Sequence, residues 1–168
     1  AGGYVPSASS LLHQWDFEDG SGSFANDSVN SSTNLTLKNM NSSNWRTCAD
    51  GSCLWYDGVD DSVEVDVDDW VGNFTISQWV WANSTTLPNY ASTFAVDDAA
   101  GSNGSFQHTV YNGQWRMHSN QSHVFGDVEA QRWTHLVTVF ENGTARLYLD
   151  GVHVQSITVA VGSLNNFE

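Results

Sequence analysis

Short segments of alternating apolar and polar residues follow one another along nearly the whole chain. Runs rich in Val, Thr, Ile and aromatic residues recur roughly every 8 to 12 residues, separated by Gly, Asn, Asp and Ser, which is typical of β-sandwiches and barrels. No window of helical length has an apolar period of about 3.6 residues. The pattern predicts strands over residues 11–18, 34–40, 53–57, 62–67, 73–82, 91–96, 105–111, 114–118, 133–141, 144–150 and 152–161. We therefore expect one all-β domain over residues 11–168, preceded by a flexible tail, residues 1–10.

The dipeptide Asn112-Gly113 favours the type I′ turn of a two-residue hairpin loop. Such a loop pairs Val110 with Trp115 across the hairpin. In this register five side chains share one face, which we expect to be buried: Phe106, His108, Val110, Trp115 and Met117. His118 lies on the opposite face from His108, so we do not expect these two imidazoles to chelate a metal together.

A second dipeptide of the same kind, Asn142-Gly143, predicts a hairpin in which Phe140 pairs with Ala145. One face of this hairpin is expected to belong to the core: Leu136, Thr138, Phe140, Ala145, Leu147 and Leu149. The other face is also rather apolar: Trp133, His135, Val137, Val139, Arg146 and Tyr148. A sheet that is apolar on both sides predicts cover on both sides, for example by a neighbouring subunit.

The 168 residues include 19 acidic and 5 basic side chains, a net charge of −14, with Lys38 as the single lysine. Such a surface repels phosphate backbones and anionic lipids, which disfavours nucleic acids and membrane surfaces as partners. No segment approaches the roughly 20 apolar residues of a membrane helix, so we expect no membrane insertion. The first residues lack the basic start and apolar run of a signal peptide, so a secreted form would be the mature one.

The two cysteines, Cys48 and Cys53, bracket a turn-forming tetrapeptide. A short disulfide that clips a hairpin in an oxidising compartment is the natural interpretation. The alternatives are a free thiol pair or half of a zinc site, although no partner ligands follow at finger-like spacing.

Asn-X-Ser/Thr sequons are far more frequent than chance, which predicts about three in a chain with this content of Asn, Ser and Thr. Nine occur, at Asn26, Asn30, Asn34, Asn41, Asn73, Asn83, Asn103, Asn120 and Asn142. The alternative is that polar, turn-rich β proteins accumulate such triplets. Together with the cysteine pair, the excess predicts a secreted, N-glycosylated protein of the extracellular space or cell surface.

Several segments resemble motifs of the LamG-like jelly-roll family of concanavalin A-like sandwiches. Trp15–Gly22 resembles its W-x-F-(D/E)-x-G-x-G segment, and Asp27-Ser28 resembles its D-S-x-x-N loop. The segment Leu54–Val65 is similar to F-D-G-x-D-D-Y-V-x-V, and Phe74–Val80 to the F-T-I-S-x-W-V strand. Residues 133–137 and 146–151 resemble the W-T-H-V-A and L-Y-V-D-G pair. The resemblance implies a two-sheet antiparallel jelly roll.

The chain departs from the family after the L-Y-V-D-G strand, because the further strands expected there, including one beside the N-terminal strand, are missing. Residues 11–18 would then be an open edge that a neighbouring copy closes by donating a strand, which generates a homopolymer. Residues 152–161 are the best donor, with a bulge that re-aims the strand, and residues 1–10 are a weaker one. The alternatives are a truncated chain or an abbreviated topology.

Several Asp and Asn side chains lie in predicted turns, and their oxygen atoms are the ligands that Ca²⁺ prefers. The resemblance supports Asp27, Asn30, Asp57 and Asp60 as ligands, because LamG-like domains often hold one calcium in such loops. The alternative is that Asp and Asn are ordinary turn formers that bond to nearby backbone.

Catalysis and sugar binding are two further hypotheses. Glu64, Asp66 and Asp68 share one face of a predicted strand, similar to the carboxylate strand of jelly-roll glucanases, but the last acid is displaced and is Asp. Aromatic rings stack on sugars, and Trp70, Trp81 and Trp115 are candidates for such contacts. For three further tryptophans, core positions of the family are the expected alternative: Trp15, Trp79 and Trp133.

The sequence therefore predicts a non-catalytic, extracellular structural or adhesive glycoprotein that self-assembles into a filament or surface layer, with Ca²⁺ in its loops. The alternative is a Ca²⁺-dependent carbohydrate-binding module, and a glycoside hydrolase of jelly-roll type is a third hypothesis.

Overall fold

A computed structural model of the chain describes residues 11–49, 51–67, 72–96, 106–119 and 121–159. Contacts divide the chain into two compact units, Ala1–Asp66 and Val67–Glu168. The paired strands are antiparallel throughout the described ranges. Within those ranges no helix is long and apolar enough to cross a membrane.

The first unit contains a three-stranded sheet and a separate hairpin. The sheet has the order β1-β2-β5, and the hairpin joins β3 to β4. The bounds are β1 Phe24–Ala25, β2 Leu35–Lys38, β3 Trp45–Cys48, β4 Gly51–Leu54 and β5 Ser62–Glu64, with a 3-10 helix at Ser42–Asn44. Ala25, Leu35, Leu37, Trp45 and Val63 form the core of this unit, and Trp15 and Phe17 pack against it. The predicted core position of Trp15 is thereby confirmed.

The second unit contains two four-stranded sheets, one with the order β10-β9-β8-β7 and the other with the order β13-β12-β11-β6. The strands of the first sheet are β7 Ser92–Val96, β8 Phe106–Tyr111, β9 Gln114–Ser119 and β10 Gln121–Asp127. Those of the second are β6 Phe74–Trp81, β11 Trp133–Glu141, β12 Thr144–Leu149 and β13 Val152–Thr158. This arrangement confirms the predicted all-β jelly-roll sandwich.

The two sheets of the second unit pack face to face, and contacts between their inner faces show this directly. The rings of Phe106 and Phe140 meet edge to face with centroids 5.1 Å apart, and His108 lies 2.8 Å from the Thr138 hydroxyl. The inner-face residues that both hairpin registers predicted are fully buried, apart from Leu149, which is partly exposed. Both turns have positive φ at Asn and Gly, as a type I′ turn requires.

The sequence pattern did not predict three of the strands: β1, β3 and β10. The predicted strand over residues 11–18 is wrong, because only Trp15 forms a bridge there, to Asp27. Two local features prevent a strand. The Gln14 backbone N–H bonds to the Asp27 side chain rather than to another strand, and Phe17 has a φ of 58°. The open edge that was expected over residues 11–18 is therefore not formed.

The segment predicted as a donor strand is used within its own chain. β13 pairs with β12, and the register shifts between Leu147 and Tyr148, which leaves Val154 as the extra residue of a bulge. The predicted bulge is confirmed, but donation of this strand to a neighbour is not, because its backbone already pairs inside the sheet. The other predicted donor, residues 1–10, lies outside the described residues.

Candidate functional site

Four aromatic side chains form a strip on the outer face of the β13-β12-β11-β6 sheet. Trp79 and Trp81 come from β6, and Trp133 and His135 come from the neighbouring strand β11. The register pairs Trp81 with Trp133 and Trp79 with His135. Because strand side chains alternate between faces, these residues point away from the core that Leu136 occupies on the same strand. We call this group the aromatic strip.

The strip leaves large areas of indole open to solvent. Trp79 is 63% exposed and Trp81 is 45% exposed. The Trp79 ring lies nearly parallel to the His135 ring, with centroids 4.6 Å apart and planes 11° apart. Trp81 meets Trp133 edge to face at 5.7 Å. Each exposed ring therefore packs against a second ring, which restrains its orientation before any ligand arrives.

Polar contacts fix the position of His135 beneath Trp79. Its Nε2 lies 2.8 Å from the Ser77 hydroxyl, and its backbone N–H donates to Asp150 at 2.8 Å. Asp150 in turn forms an ion pair with Arg132. Burial lowers the pKa of His135 below its ordinary value, so the strip is uncharged at neutral pH. An uncharged ring surface beside a carboxylate and a guanidinium offers apolar contact together with hydrogen-bonding groups.

The tryptophans predicted to bind sugar lie in different environments. Trp81 lies on the aromatic strip. Trp115 is 1% exposed and packs in the sandwich core, so the prediction for this residue is wrong: no face of its indole is open to a ligand. Trp70 lies outside the described residues. Trp79 and Trp133 were expected in the core, and the structure corrects this, since both lie on the outer face.

The Asp27 carboxylate is fully engaged with protein donors. Its Oδ1 accepts from the backbone N–H groups of Gln14, Val29 and Asn30. Its Oδ2 accepts from the Thr33 hydroxyl and lies 2.7 Å from His13 Nδ1. Burial raises the pKa of Asp27, but these hydrogen bonds outweigh it and lower the pKa to about 2.

Asp27 therefore organises a loop and offers no free oxygen to a metal ion. The Oδ1 of Asn30, another predicted ligand, is likewise engaged, since it accepts from the Ser32 backbone N–H and hydroxyl. The predicted calcium ligands therefore do not all fit a metal ion.

Carboxylates of Asp57, Asp60 and Asp61 lie together, with one oxygen of each within 4.8 Å of the others. The structure thus groups two of the predicted calcium ligands, Asp57 and Asp60, with Asp61 of the same loop. The Asp61 Oδ2 already accepts from Asn44 Nδ2 and from the Asp57 backbone N–H. The donor chemistry fits Ca²⁺, and a calcium site stays a prediction.

Two of the three carboxylates considered for catalysis, Glu64 and Asp66, lie in the described residues. β5 ends at Glu64, so Asp66 does not follow it along a regular strand face, and Asp68 lies outside the described residues. Glu64 is 3.6 Å from Lys38 Nζ, and Ser62 donates to it at 3.3 Å. A glycoside hydrolase of jelly-roll type stays a prediction.

The predicted disulfide between Cys48 and Cys53 is present and joins β3 to β4. Six sequon asparagines are exposed: Asn26, Asn30, Asn41, Asn73, Asn83 and Asn142. Asn34 is half-buried, and its Oδ1 accepts from the Asp27 backbone N–H. Asn103 and Asn120 lie outside the described residues. N-glycosylation stays a prediction.

The fold and the strip define a two-sheet jelly-roll sandwich with a fixed aromatic surface on one outer face. The profile of the concanavalin A-like lectin/glucanases superfamily matches residues 57–167, and the chain belongs to this family. The predicted resemblance is thereby confirmed. Among curated proteins, no sequence matches the chain.

Two solved structures show the same fold at low sequence identity. Domain 4 of AbnA, a GH43 extracellular arabinanase from Geobacillus stearothermophilus, was solved in complex with arabinotriose. It has 19% identity and a TM-score of 0.60, and the match covers 91% of this chain and 79% of that domain. The Trypanosoma rangeli sialidase, in complex with the inhibitor DANA, has 16% identity and a TM-score of 0.63. That match covers 89% of this chain and 26% of the sialidase chain.

Proposed function

We propose that this protein is a non-catalytic carbohydrate-binding module whose aromatic strip stacks on a neutral glycan chain. The observation that carries the proposal is the exposure of Trp79 and Trp81 on rings that hold them in place. Sugar rings present apolar C–H faces, and aromatic surfaces bind them by burial and by contact with the π-system. A family likeness to lectins and to a domain solved with arabinotriose supports this proposal.

The test is glycan binding by the native chain and by Trp79→Ala. If a sugar ring covers about 60 Å² of the indole, the contact is worth about 1.5 kcal/mol, so the dissociation constant should rise about tenfold. Affinities are first surveyed on a glycan array and then measured by calorimetry with the best oligosaccharide. Tyr90→Ala is the matched control, because Tyr90 is 67% exposed but lies outside the strip. Equal losses in both variants, or no loss in Trp79→Ala, would refute the role of the strip.

An extracellular location is part of this proposal. The disulfide needs an oxidising compartment to form and persist, and the sequons that the structure describes as exposed offer sites for glycans. Intact mass of the protein from its native source tests the glycans. A mass equal to the 18.4 kDa of the bare chain would remove that part of the proposal.

Self-assembly is the second candidate function, and the edge strand β13 favours it. Val152 and Val154 on this strand are 67% and 41% exposed, and an open edge with apolar side chains is a template for another chain. In this version of the hypothesis the β13 edges of two copies pair with each other, whereas the sequence-based version required one copy to donate a strand to the next. Electron microscopy and light scattering of the native protein test it, with Val154→Lys as the variant that should disperse any polymer. Monomers at every concentration in the native protein would reject it.

Calcium binding remains a separate proposal, with Asp57, Asp60 and Asp61 as the ligands. Added Ca²⁺ should raise the melting temperature of the native chain and leave that of Asp60→Asn unchanged. Lys38→Gln is the comparison variant, because it removes the ion-pair partner of Glu64 and leaves the three carboxylates in place. An identical shift in the native chain and in Asp60→Asn would place any bound ion elsewhere.

A further inference from the structure

Strand β6, Phe74–Trp81, forms one edge of the β13-β12-β11-β6 sheet. Among the described residues it pairs with β11 alone, without a shift in register. The direction of its backbone groups follows from those of β11. The His135 backbone N–H donates to Asp150 Oδ1, and the His135 carbonyl accepts from the Asp150 backbone N–H. Both groups of His135 therefore point to the β12 side of β11 and away from β6.

Alternation along an antiparallel pair then gives the direction of the groups on β6. Trp79 lies opposite His135, so its N–H and C=O point away from β11. The same holds for the other outward-facing residues of the strand, Thr75, Ser77 and Trp81. These residues are exposed, and within the described part of the chain no group bonds to their four N–H and four C=O groups. The edge of β6 is therefore open.

This edge lacks the features that usually keep a sheet edge from pairing with another chain, which are short length, bulges, charges and proline. β6 has eight residues, with the sequence FTISQWVW, and none of them is ionisable. The other edge strands of the three larger sheets differ. β7, β10 and β13 contain register shifts, whereas β1 has two residues and β5 has three. Among these strands, β6 is therefore the best suited to accept a further strand.

A second copy of β6 can satisfy all of the open backbone groups at once. In an antiparallel pair with Gln78 on a two-fold axis, Thr75 lies opposite Trp81 of the second copy. Ser77 likewise lies opposite Trp79 of the second copy, and the symmetry repeats both pairs. Each pair exchanges two hydrogen bonds, so every outward N–H and C=O of β6 gains a partner. Within the bounds of β6, a shift by two residues would leave Trp81 unpaired.

Charge and area indicate how strong such a contact is. β6 carries no charge in a chain of net charge −14, so two copies meet here without opposing carboxylates. The paired segment, residues 75–81, is about 24 Å long, and a sheet is about 10 Å thick, so each copy covers on the order of 250 Å². Stable interfaces cover about 800 Å² per partner, which places this contact in the weak, transient class.

We propose that the open edge of β6 pairs with β6 of a second copy, which joins two four-stranded sheets into one continuous sheet. The Trp79 rings of the two copies then lie diagonally across the axis on the same outer face. The two aromatic strips thereby become neighbours on one surface. This contact uses the edge opposite to β13, and it does not depend on glycan binding by the strip.

The experiment combines analytical ultracentrifugation with amide hydrogen exchange of the native chain. For a dissociation constant on the order of 100 µM, the chain should be monomeric at about 10 µM and mostly dimeric at about 1 mM. Exchange followed by NMR at both concentrations identifies the contact. The amides of Thr75, Ser77, Trp79 and Trp81 should exchange more slowly at the higher concentration, and the amides of β13 should not change.

Thr75→Pro tests the role of the open edge. Proline is tolerated in an edge strand where its missing N–H serves no bond within the sheet, and at Thr75 the ring would block the approach of a second strand. The dissociation constant should rise at least about tenfold. Thr75→Ala is the matched control, because it removes the same side chain, keeps the N–H group and should dimerise like the native chain. Melting temperatures show whether both variants are folded, and if Thr75→Pro is not, the exchange data decide.

Three results would overturn the proposal. The first is a native chain that stays monomeric at about 1 mM. The second is equal dimerisation of folded Thr75→Pro and the native chain. The third is a dimer that protects the amides of β13 but not the outward amides of β6, which would assign the contact to the other edge. A chain that binds no glycan would leave each of these measurements unaffected.

Discussion

His108 should make the stability of the protein fall steeply in mild acid. Its ring is fully buried between the two sheets of the second unit, and burial lowers its pKa to about 3. Gln78 Nε2 lies 2.6 Å from Nδ1 and 2.9 Å from the Thr93 hydroxyl, and Thr138 Oγ1 lies 2.8 Å from Nε2. The Gln78 amide nitrogen can only donate, so Nδ1 accepts and Nε2–H donates to Thr138. A second proton on the ring would face the Gln78 N–H group, which cannot accept a hydrogen bond.

The size of the effect follows from the difference in bound protons between the unfolded and folded chains. Unfolded His108 has an ordinary pKa of about 6.5, so it is protonated at pH 5 while the folded form is not. Its contribution to stability is present above the unfolded pKa and is lost as the pH falls toward 3. In that window the free energy of unfolding decreases by about 1.4 kcal/mol per pH unit, or about 2 kcal/mol from pH 5.5 to 4.0.

Urea unfolding at several pH values, followed by tryptophan fluorescence, measures this slope. His108→Gln removes the titrating group, so its slope between pH 5.5 and 4.0 should be about 1.4 kcal/mol per pH unit smaller, whatever its absolute stability. His153→Gln provides the comparison, because it removes an exposed imidazole on β13. If His108→Gln keeps the slope of the native chain, a neutral buried His108 is not the cause of the acid sensitivity.

Two further predictions concern the first unit. Replacing both cysteines, Cys48→Ser with Cys53→Ser, should lower the free energy of unfolding by about 2 kcal/mol in denaturant titrations. The reason is that the disulfide no longer closes the short loop in the unfolded chain. An unchanged free energy of unfolding would mean that the stability of the hairpin does not depend on the disulfide. Asp27→Ala should cost about 2 kcal/mol at pH 7, because several partly buried donors lose their acceptor. Since the folded pKa of Asp27 is about 2, that difference should shrink as the pH falls below the unfolded value of about 4, and a constant difference would contradict the charged role of Asp27.

The turn sequences predicted the core of the second unit because they carry geometric information. Each Asn-Gly pair occupies two positions with positive φ, and this fixes which residues face each other along the hairpin. From that register the burial of Trp115 and Met117 follows by alternation alone. The same register also placed Trp115 in the core, which contradicts its selection as a sugar-binding residue. Consistent use of the hairpin register would have excluded Trp115 from the sugar-binding candidates.

The orientation of β6 was harder to predict, because both of its faces are apolar. Its outward residues include Trp79 and Trp81, whereas inward-facing Gln78 is polar and bonds to His108. Hydrophobicity alone therefore assigns the wrong face to this strand. The usable signal is the partner strand. The register of the Asn142-Gly143 hairpin put Trp133 and His135 on the face opposite Leu136, against the core position that the family implied for Trp133, and both residues pair with these tryptophans.

Other features depend on contacts between distant segments and have no local pattern. β10 contains a bulge between Val124 and Gly126, which breaks the alternation that identifies a strand. The role of Asp27 depends on donors from two segments, and the D-S-x-x-N resemblance gave no sign that they occupy both carboxylate oxygens. A cavity lined by Asn41, Asn44, Trp55 and Asp61 likewise depends on distant segments, which the buried Asn44 amide joins by hydrogen bonds.

The inner and outer faces of the second sheet are coupled through the same two strands. Gln78 and Thr138, which bond to His108, lie on the strands that carry Trp79 and His135 on the opposite face. The hydrogen bonds in the core therefore hold β6 and β11 in position against the facing sheet, and the strip depends on the spacing of those two strands. Acid that protonates the unfolded form of His108 lowers the free energy of unfolding, and the strip is lost only where the unfolded chain becomes populated. Glycan binding should thus fall at the pH where the native chain begins to unfold, and in His108→Gln the loss of binding and the onset of unfolding should move to the same new pH.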